Sequence, residues 1–264
     1  MMTPPLRISP PLALRLHDAL RGLTVAEGVE CWLERPWSSE RRFAANTTRT
    51  GVFAWHDLPG IPPVVPVGST ATTPWRLVVS DSARRFLKFE RTLSLPRPAG
   101  LLSAPVGAFG AVEGSLPLYA GPDADPTPQH GCVRARLIVA TSGEPARWAR
   151  LEVRDGGTVI GASYADETGH VTVPFDWPEP KAPPGGSVPP LSEQRWMLRL
   201  AVAYGALERP DLDALVAQPT ARLLWRLGGA TLSNIEVSYG RPTVVRSMGV
   251  DWAPISHVFV APVA

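Results

Sequence analysis

Five histidines and two cysteines are the residues of this chain whose types could support metal-dependent or nucleophilic chemistry. Two of the histidines precede an aspartate, in the pairs His17-Asp18 and His56-Asp57. A metal site needs several ligands that converge on one point, whereas neighbouring residues on a strand point to opposite faces. Both pairs are therefore interpreted as turns in which the aspartate caps the backbone, and not as metal sites.

A third titratable group surrounds a Thr-Gly turn in the second half of the chain. Asp166, Glu167 and His170 could form a hydrolytic or metal-binding cluster. Their position around Thr168-Gly169 is instead typical of a hairpin turn whose polar side chains face solvent. The sequence favours the turn.

Other signatures of catalysis are weak. The loop that contains Asp123 and Asp125 lacks the following glycine and the terminal glutamate of a calcium loop. Cys31 lies in an apolar run beside Trp32, as a buried small hydrophobe would. There is no GxSxG elbow and no phosphate-binding glycine loop. We therefore assign no catalytic, cofactor-binding or metal-ligating residue and no cofactor, and we expect the protein not to be an enzyme.

The charge balance argues against a nucleic-acid partner. The chain has 26 basic and 24 acidic residues, a net charge of +2, which creates no strong field. The most basic stretch with aromatic residues, 81–89, holds Arg84, Arg85 and Lys88. Single-stranded nucleic acid needs several stacking positions along a basic groove, so we interpret this stretch as a solvated strand edge.

Proline content sets the architecture. Thirty of the 264 residues are proline and 44% are hydrophobic, and proline is unfavourable inside helices. The apolar residues alternate in short runs such as 12–16 and 133–139, which predicts strands. Residues 210–218 are the one helical pattern, with proline and acids at the start and Pro219 after the end. We predict a mainly β fold of two antiparallel Ig/transthyretin-like β-sandwich modules with one short helix.

Proline-rich segments also suggest the domain boundaries. The predicted N-terminal module spans 1–95, a Pro/Gly-rich connector spans 96–131, and the C-terminal module spans 132–264. The connector is too apolar for a free linker, so we expect it to be ordered by packing. Deletion of 107–114 is expected to leave both modules folded.

Cysteine spacing and hydropathy indicate the compartment. Cys31 and Cys132 fall in different predicted modules and form no CxxC motif, so we expect no bridge between them. No apolar run has signal-peptide or membrane-span length. We expect a cytoplasmic protein without membrane insertion.

The two halves repeat one pattern: a glycine turn, an apolar strand, and a Thr-Gly turn into a further strand that ends near proline. This order resembles the carboxypeptidase-regulatory-like, or transthyretin-like, module. The residues that carry the resemblance are Gly22, Gly51-Val52-Phe53, Asp57-Leu58-Pro59-Gly60, 148–153 and 165–169. The first copy departs from the pattern by its long insertion at 59–74.

The whole chain is also similar to two-module proteins encoded beside phage-tail-like contractile injection systems. The shared patterns lie at 116–119, 143–148, 175–180, 217–219 and 239–242. The resemblance implies a non-enzymatic structural subunit or adaptor of such a particle, at its baseplate or another attachment point, with other protein subunits as partners. The alternative is a carbohydrate- or cell-surface-binding module that uses exposed members of the nine tryptophans.

Overall fold

The computed structural model describes residues 10–36, 38–61, 72–96, 100–125, 127, 129–180, 182, 186–249 and 251–263. The chain divides into two compact units. The first contains the described residues up to Ser82 together with Lys88–Leu118, and the second contains Ala83–Leu87 and the chain from Tyr119 onward.

The first unit has two four-stranded sheets. Its strands are β1 (Leu12–Asp18), β2 (Val29–Arg35), β3 (Ser38–Ala44), β4 (Asn46–Thr47), β5 (Val52–Trp55), β6 (Thr73–Asp81), β7 (Phe89–Leu95) and β8 (Leu116–Leu118). The strand orders are β4-β5-β1-β8 and β3-β2-β6-β7. Alternating residues of β1, among them Leu14 and Leu16, are buried, as are Trp75 and Leu77 of β6. This alternation gives each sheet one apolar face for the core of the unit.

The second unit is built on one nine-stranded sheet. Its strands are β9 (His130–Val139), β10 (Arg150–Asp155), β11 (Thr158–Tyr164), β12 (His170–Asp176), β13 (Arg195–Ala203), β14 (Thr220–Leu224), β15 (Asn234–Ser238), β16 (Thr243–Val244) and β19 (Val258–Pro262). The short strands β17 (Ser247–Met248) and β18 (Pro254–Ile255) pair separately. The main strand order is β11-β10-β13-β14-β19-β9-β12, with β15 paired to β13 and β16 to β9.

Alternating apolar residues of the second unit form one core. Val133 and Leu137 of β9, Val173 of β12 and Leu198 of β13 are fully buried in it. Gly131 of β9 lies opposite Phe175 of β12, and a Cβ at this glycine would come 2.2 Å from the phenylalanine ring. The ring therefore occupies the space that a larger residue would need.

The predicted mainly β class is confirmed. Helix is confined, in the described chain, to α1 (Leu212–Val216) and a 3-10 turn (Leu191–Glu193). Most strand pairs of the described chain are antiparallel, as expected, but β8 pairs with β1, and β16 and β19 pair with β9, in parallel. These parallel pairs join segments far apart in sequence, which local alternation does not reveal.

The helix predicted at 210–218 is confirmed as α1. The Asp211 carboxylate accepts hydrogen bonds from the backbone nitrogens of Asp213, at 3.1 Å, and Ala214, at 3.2 Å. This cap satisfies two donors that a helix start leaves free. Leu212 and Leu215 form the buried face of the helix.

The predicted connector at 96–131 is not a separate element. Leu116–Leu118 is strand β8 of the first unit, and the backbone nitrogen of Leu102 donates to Ala13 of β1. From Tyr119 onward the same segment belongs to the second unit. Within this segment Leu102, Leu116 and Leu118 are buried, whereas Val106 and Val112 are exposed.

Among the described residues, no helix has the length and apolar composition needed to cross a bilayer.

Candidate functional site

An open groove of about 610 Å³ lies on the second unit. Strands β9 and β12 form its floor, and the Pro122-Asp123 segment and Arg84 form one end. We call it the Arg134 groove. Its size falls within the range of ordinary ligand-binding clefts.

Strand geometry places four polar side chains side by side in this groove. Arg134 and Arg136 are two positions apart on β9, so they share a face, while Val133 and Leu137 point into the core. On β12, Thr172 pairs with Arg134 and His170 pairs with Arg136. Cross-strand partners lie close enough to act on one ligand.

Two guanidiniums of the groove lack a counter-ion within the described part of the chain. Arg134 donates from Nη2 to the carbonyl of Ala124 at 3.1 Å, and its buried Nε has no hydrogen-bond partner there. Arg136 is exposed. Neither arginine forms an ion pair with a described carboxylate; Arg136 is open to a ligand, whereas Arg134 is half-buried and partly engaged with Ala124 and Cys132.

The third guanidinium is already neutralised. Arg84 Nε lies 3.3 Å from Asp123 Oδ2, and its Nη2 lies 3.4 Å from Asp166 Oδ2. Arg84 sits between β6 and β7 with a φ of 55°, so the stretch predicted as a strand edge is a tight connection at this point. Arg84, Arg85 and Lys88 of this stretch are exposed, and the two carboxylates offset the charge of Arg84.

The cluster at Asp166 forms a turn, as predicted, but not a solvent-facing hairpin, because β11 and β12 pair with other strands and Asp166 is buried. Asp166 Oδ1 accepts from the backbone nitrogens of Thr168, at 2.8 Å, and His170, at 2.9 Å, and from the Thr168 hydroxyl at 2.7 Å. Gly169 has a φ of +83°, and a Cβ there would come 2.4 Å from the carbonyl of Leu137. The carboxylate therefore organises the Thr-Gly turn.

The hydrogen bonds of the Thr168 hydroxyl determine that His170 Nδ1 carries a proton. The Thr168 hydroxyl has one proton, which it donates to Asp166, so it accepts from His170 Nδ1 at 2.7 Å. His170 lines the groove and is exposed. The imidazole can therefore add one polar contact beside Arg136.

The aspartates of the other singled-out motifs have separate roles. Asp18 caps a turn, as predicted, since its Oδ1 accepts from the backbone nitrogens of Leu20 and Arg21. His56 and Asp57 are both exposed. Among the described residues, no three His, Cys, Asp or Glu side chains are placed to share a metal ion.

His17 has a structural environment that the sequence did not indicate. It is 2% exposed, its Nε2 donates to the carbonyl of Gly110 at 2.6 Å, and its Nδ1 lies 2.8 Å from the Ser115 hydroxyl. The imidazole thus ties β1 to the segment that precedes β8.

Both cysteines are free and buried. Burial raises the pKa of the Cys31 thiol far above its ordinary value. Burial also raises the pKa of Cys132, against the opposing charge and hydrogen bond of Arg134. Protonated, enclosed thiols are poor nucleophiles, so neither supports covalent catalysis.

A second surface feature is an aromatic patch formed by Trp225, Arg226 and Trp252. Trp252 is 60% exposed, and the Arg226 guanidinium lies 4.4 Å from the centroid of its ring. The Trp225 and Trp252 centroids are 5.9 Å apart. Four of the other tryptophans, namely Trp55, Trp75, Trp148 and Trp196, are buried.

Sequence reasoning missed Arg134 and Arg136 as site residues. The available signal was the pattern Val-Arg-Ala-Arg-Leu, which places two arginines on the polar face of an alternating strand. Their lack of counter-ions depends on the surrounding chain and could not be read from this pattern.

Comparisons with known proteins identify no family. No protein-family model and no curated protein matches the chain. Among solved structures, a 9R-lipoxygenase from Cyanothece PCC8801 matches 48% of this chain and 17% of its own, with 15% identity and a TM-score of 0.23. The Bacillus anthracis TIE protein matches 97% of this chain and 34% of its own, with 8% identity and a TM-score of 0.24. The chain therefore spans about a third or less of these neighbours, and the similarity is too low to support an inference.

Proposed function

We propose that this chain is a non-enzymatic structural or adaptor subunit that works by binding other proteins. The observation that carries the proposal is the pair Arg134 and Arg136, two guanidiniums side by side in an open groove without a described counter-ion. Arginine is one of the residue types that concentrate binding energy in protein interfaces. The groove has no activated nucleophile, since the Asp166 carboxylate and His170 Nδ1 are both engaged in the turn.

The assembly that we propose is a phage-tail-like contractile injection particle, in which the chain would occupy the baseplate or another attachment point. This part of the proposal rests on the sequence resemblance described above. Its partners would be other subunits of the particle.

Sedimentation tests this proposal. A tagged chain expressed in the source organism should co-sediment with sheath and tube proteins, in fractions far heavier than its own 28.4 kDa. A tagged unrelated β protein of similar mass provides the control. Recovery of the chain only in light fractions, while the particles sediment without it, would contradict the proposal.

The aromatic patch supports a second candidate function, carbohydrate or cell-surface binding. The exposed indole of Trp252, held by Arg226, has the form of a platform on which a sugar ring can stack. The wild-type protein should then bind glycans on an array, and Trp252→Ala should abolish this binding. Met197→Ala, at a similarly exposed apolar side chain, is the matched control.

A further inference from the structure

We propose that the Arg134 groove binds an extended acidic segment of a partner protein that carries carboxylates at alternate residues. This inference rests on the proposed function, because it specifies the chemistry of the partner in an assembly.

The spacing of the two guanidiniums that form no described ion pair favours an extended peptide. Arg134 and Arg136 are separated by two residues of β9, which is about 6.6 Å along a strand. Side chains on one side of an extended peptide repeat at the same interval. Two alternate carboxylates can therefore each meet one guanidinium, in the charge-assisted geometry that arginine favours.

Two carboxylates near the groove form ion pairs with Arg84. Asp123 lines the end of the groove that Arg84 occupies, and the two form an ion pair. Asp166 lies behind Arg84 and neutralises it further. Asp123 also adjoins Ala124, which accepts from Arg134, so the ion pair with Arg84 offsets a carboxylate that would otherwise repel an acidic segment beside that arginine.

The polar groups around the two arginines complete the site. His170 lies opposite Arg136, and Thr172 lies opposite Arg134. Thr172 already donates to the carbonyl of Pro122 at 3.2 Å, whereas Ser256 is exposed at the groove wall. The Ser256 hydroxyl can donate to a carboxylate, whereas Nε2 of neutral His170 and the Thr172 oxygen can accept from backbone N–H groups of a bound segment.

Other anionic ligands fit less well. A single inorganic anion would fill a small part of the 610 Å³ and would leave the rest of the groove uncontacted. Single-stranded nucleic acid binds by stacking its bases on aromatic side chains. Phe, Tyr and Trp are absent from the described residues that line the groove.

Fluorescence anisotropy with a short labelled peptide tests the inference. In the probe, glutamate alternates with serine; one control peptide has glutamine for glutamate, and another has the same composition with its glutamates adjacent. The wild-type protein should bind the alternating peptide about tenfold more tightly than either control, which corresponds to about 1.4 kcal/mol. Added salt should weaken the binding.

Protein variants locate the binding. Arg136→Gln should weaken it about threefold, as expected for one exposed charge, and the double variant Arg134→Gln, Arg136→Gln should abolish it. Arg222→Gln removes an exposed arginine of β14 and should bind like the wild type. Thermal melts check that each variant remains folded.

Several outcomes would overturn the inference. One is that the folded double variant binds the alternating peptide as tightly as the wild type. Another is that the wild type binds the adjacent-glutamate peptide as tightly as the alternating one. A third is that inorganic phosphate or an oligonucleotide, at matched charge, displaces the alternating peptide. Absence of peptide binding by a chain that still co-sediments with particles would refute this inference alone. Peptide binding by a chain found only in light fractions would refute the proposed particle and leave the groove assignment standing.

Discussion

At the scale of single residues, His17 links two parts of the first unit. Replacement by alanine leaves the Gly110 carbonyl and the Ser115 hydroxyl without this buried partner. His17→Ala should lower the free energy of unfolding of the first unit by about 2–4 kcal/mol, measured by urea denaturation. His56→Ala, at an exposed histidine, should change it by less than about 0.5 kcal/mol. Equal effects of the two substitutions would contradict this role.

Glu34 gives the first unit a predictable dependence on pH. Burial acts to raise the pKa of Glu34, but the hydrogen bonds from Trp32 and Arg76 and the charges of Arg76 and Arg42 outweigh it and lower the pKa. Glu34 Oε1 accepts from Trp32 Nε1 at 2.6 Å, and Oε2 accepts from Arg76 Nη2 at 2.5 Å. The ionised form is thus favoured in the folded state.

The sign of the effect follows from this lowered pKa. The stabilisation by Glu34 is present above the pKa of an unfolded glutamate, about 4.3, and is lost as the pH falls through the lower folded value. Unfolding measured from neutral pH to pH ~3 should show a smaller loss of stability for Glu34→Gln than for wild type. Glu30→Gln, at an exposed position of the same strand, should keep the wild-type slope. A wild-type slope in Glu34→Gln would refute the assignment.

At the scale of elements, the segment before β8 is part of the first unit. The carbonyl of Gly110 accepts from His17, and a Cβ at Gly110, whose φ is +66°, would come 1.9 Å from the carbonyl of Ala19. These contacts change the expectation that residues 107–114 can be deleted without effect on the fold. The deletion should increase amide hydrogen exchange in β1 and leave β9 and β12 protected, as measured by mass spectrometry. Unchanged protection of β1 would restore the expectation that the deletion leaves both modules folded.

Local features of the elements could be predicted from the sequence, because they depend on neighbouring residues. Alternation identified strand β9, and Asp211 with Pro219 identified α1. The turn at Asp166 was likewise predicted from its Thr-Gly pair. The parallel pairing of β8 with β1 was missed, since it joins residues about a hundred positions apart. The groove was missed for the same reason: its character depends on Arg84 and Pro122, which come from outside β9 and β12.

At the scale of the whole molecule, we propose that surfaces of the described chain bind other proteins. The titratable side chains of the predicted motifs are used in turns and buried hydrogen bonds, as Asp18, Asp166 and His17 show. In the Arg134 groove, by contrast, Arg134 and Arg136 form no ion pair with a described carboxylate, although Arg134 donates to the carbonyl of Ala124. The central claim is therefore that this groove attaches the chain to a larger assembly.

Incorporation of variants into that assembly tests this claim most directly. Three tagged proteins are expressed in a source strain that lacks the native gene: wild type, the double variant Arg134→Gln, Arg136→Gln, and the control Arg222→Gln. Sedimented particles are then probed for each tagged protein. We predict that wild type and Arg222→Gln sediment with the particles, whereas the double variant, folded by its thermal melt, stays in the light fractions. Incorporation of the double variant at the wild-type level would contradict the account.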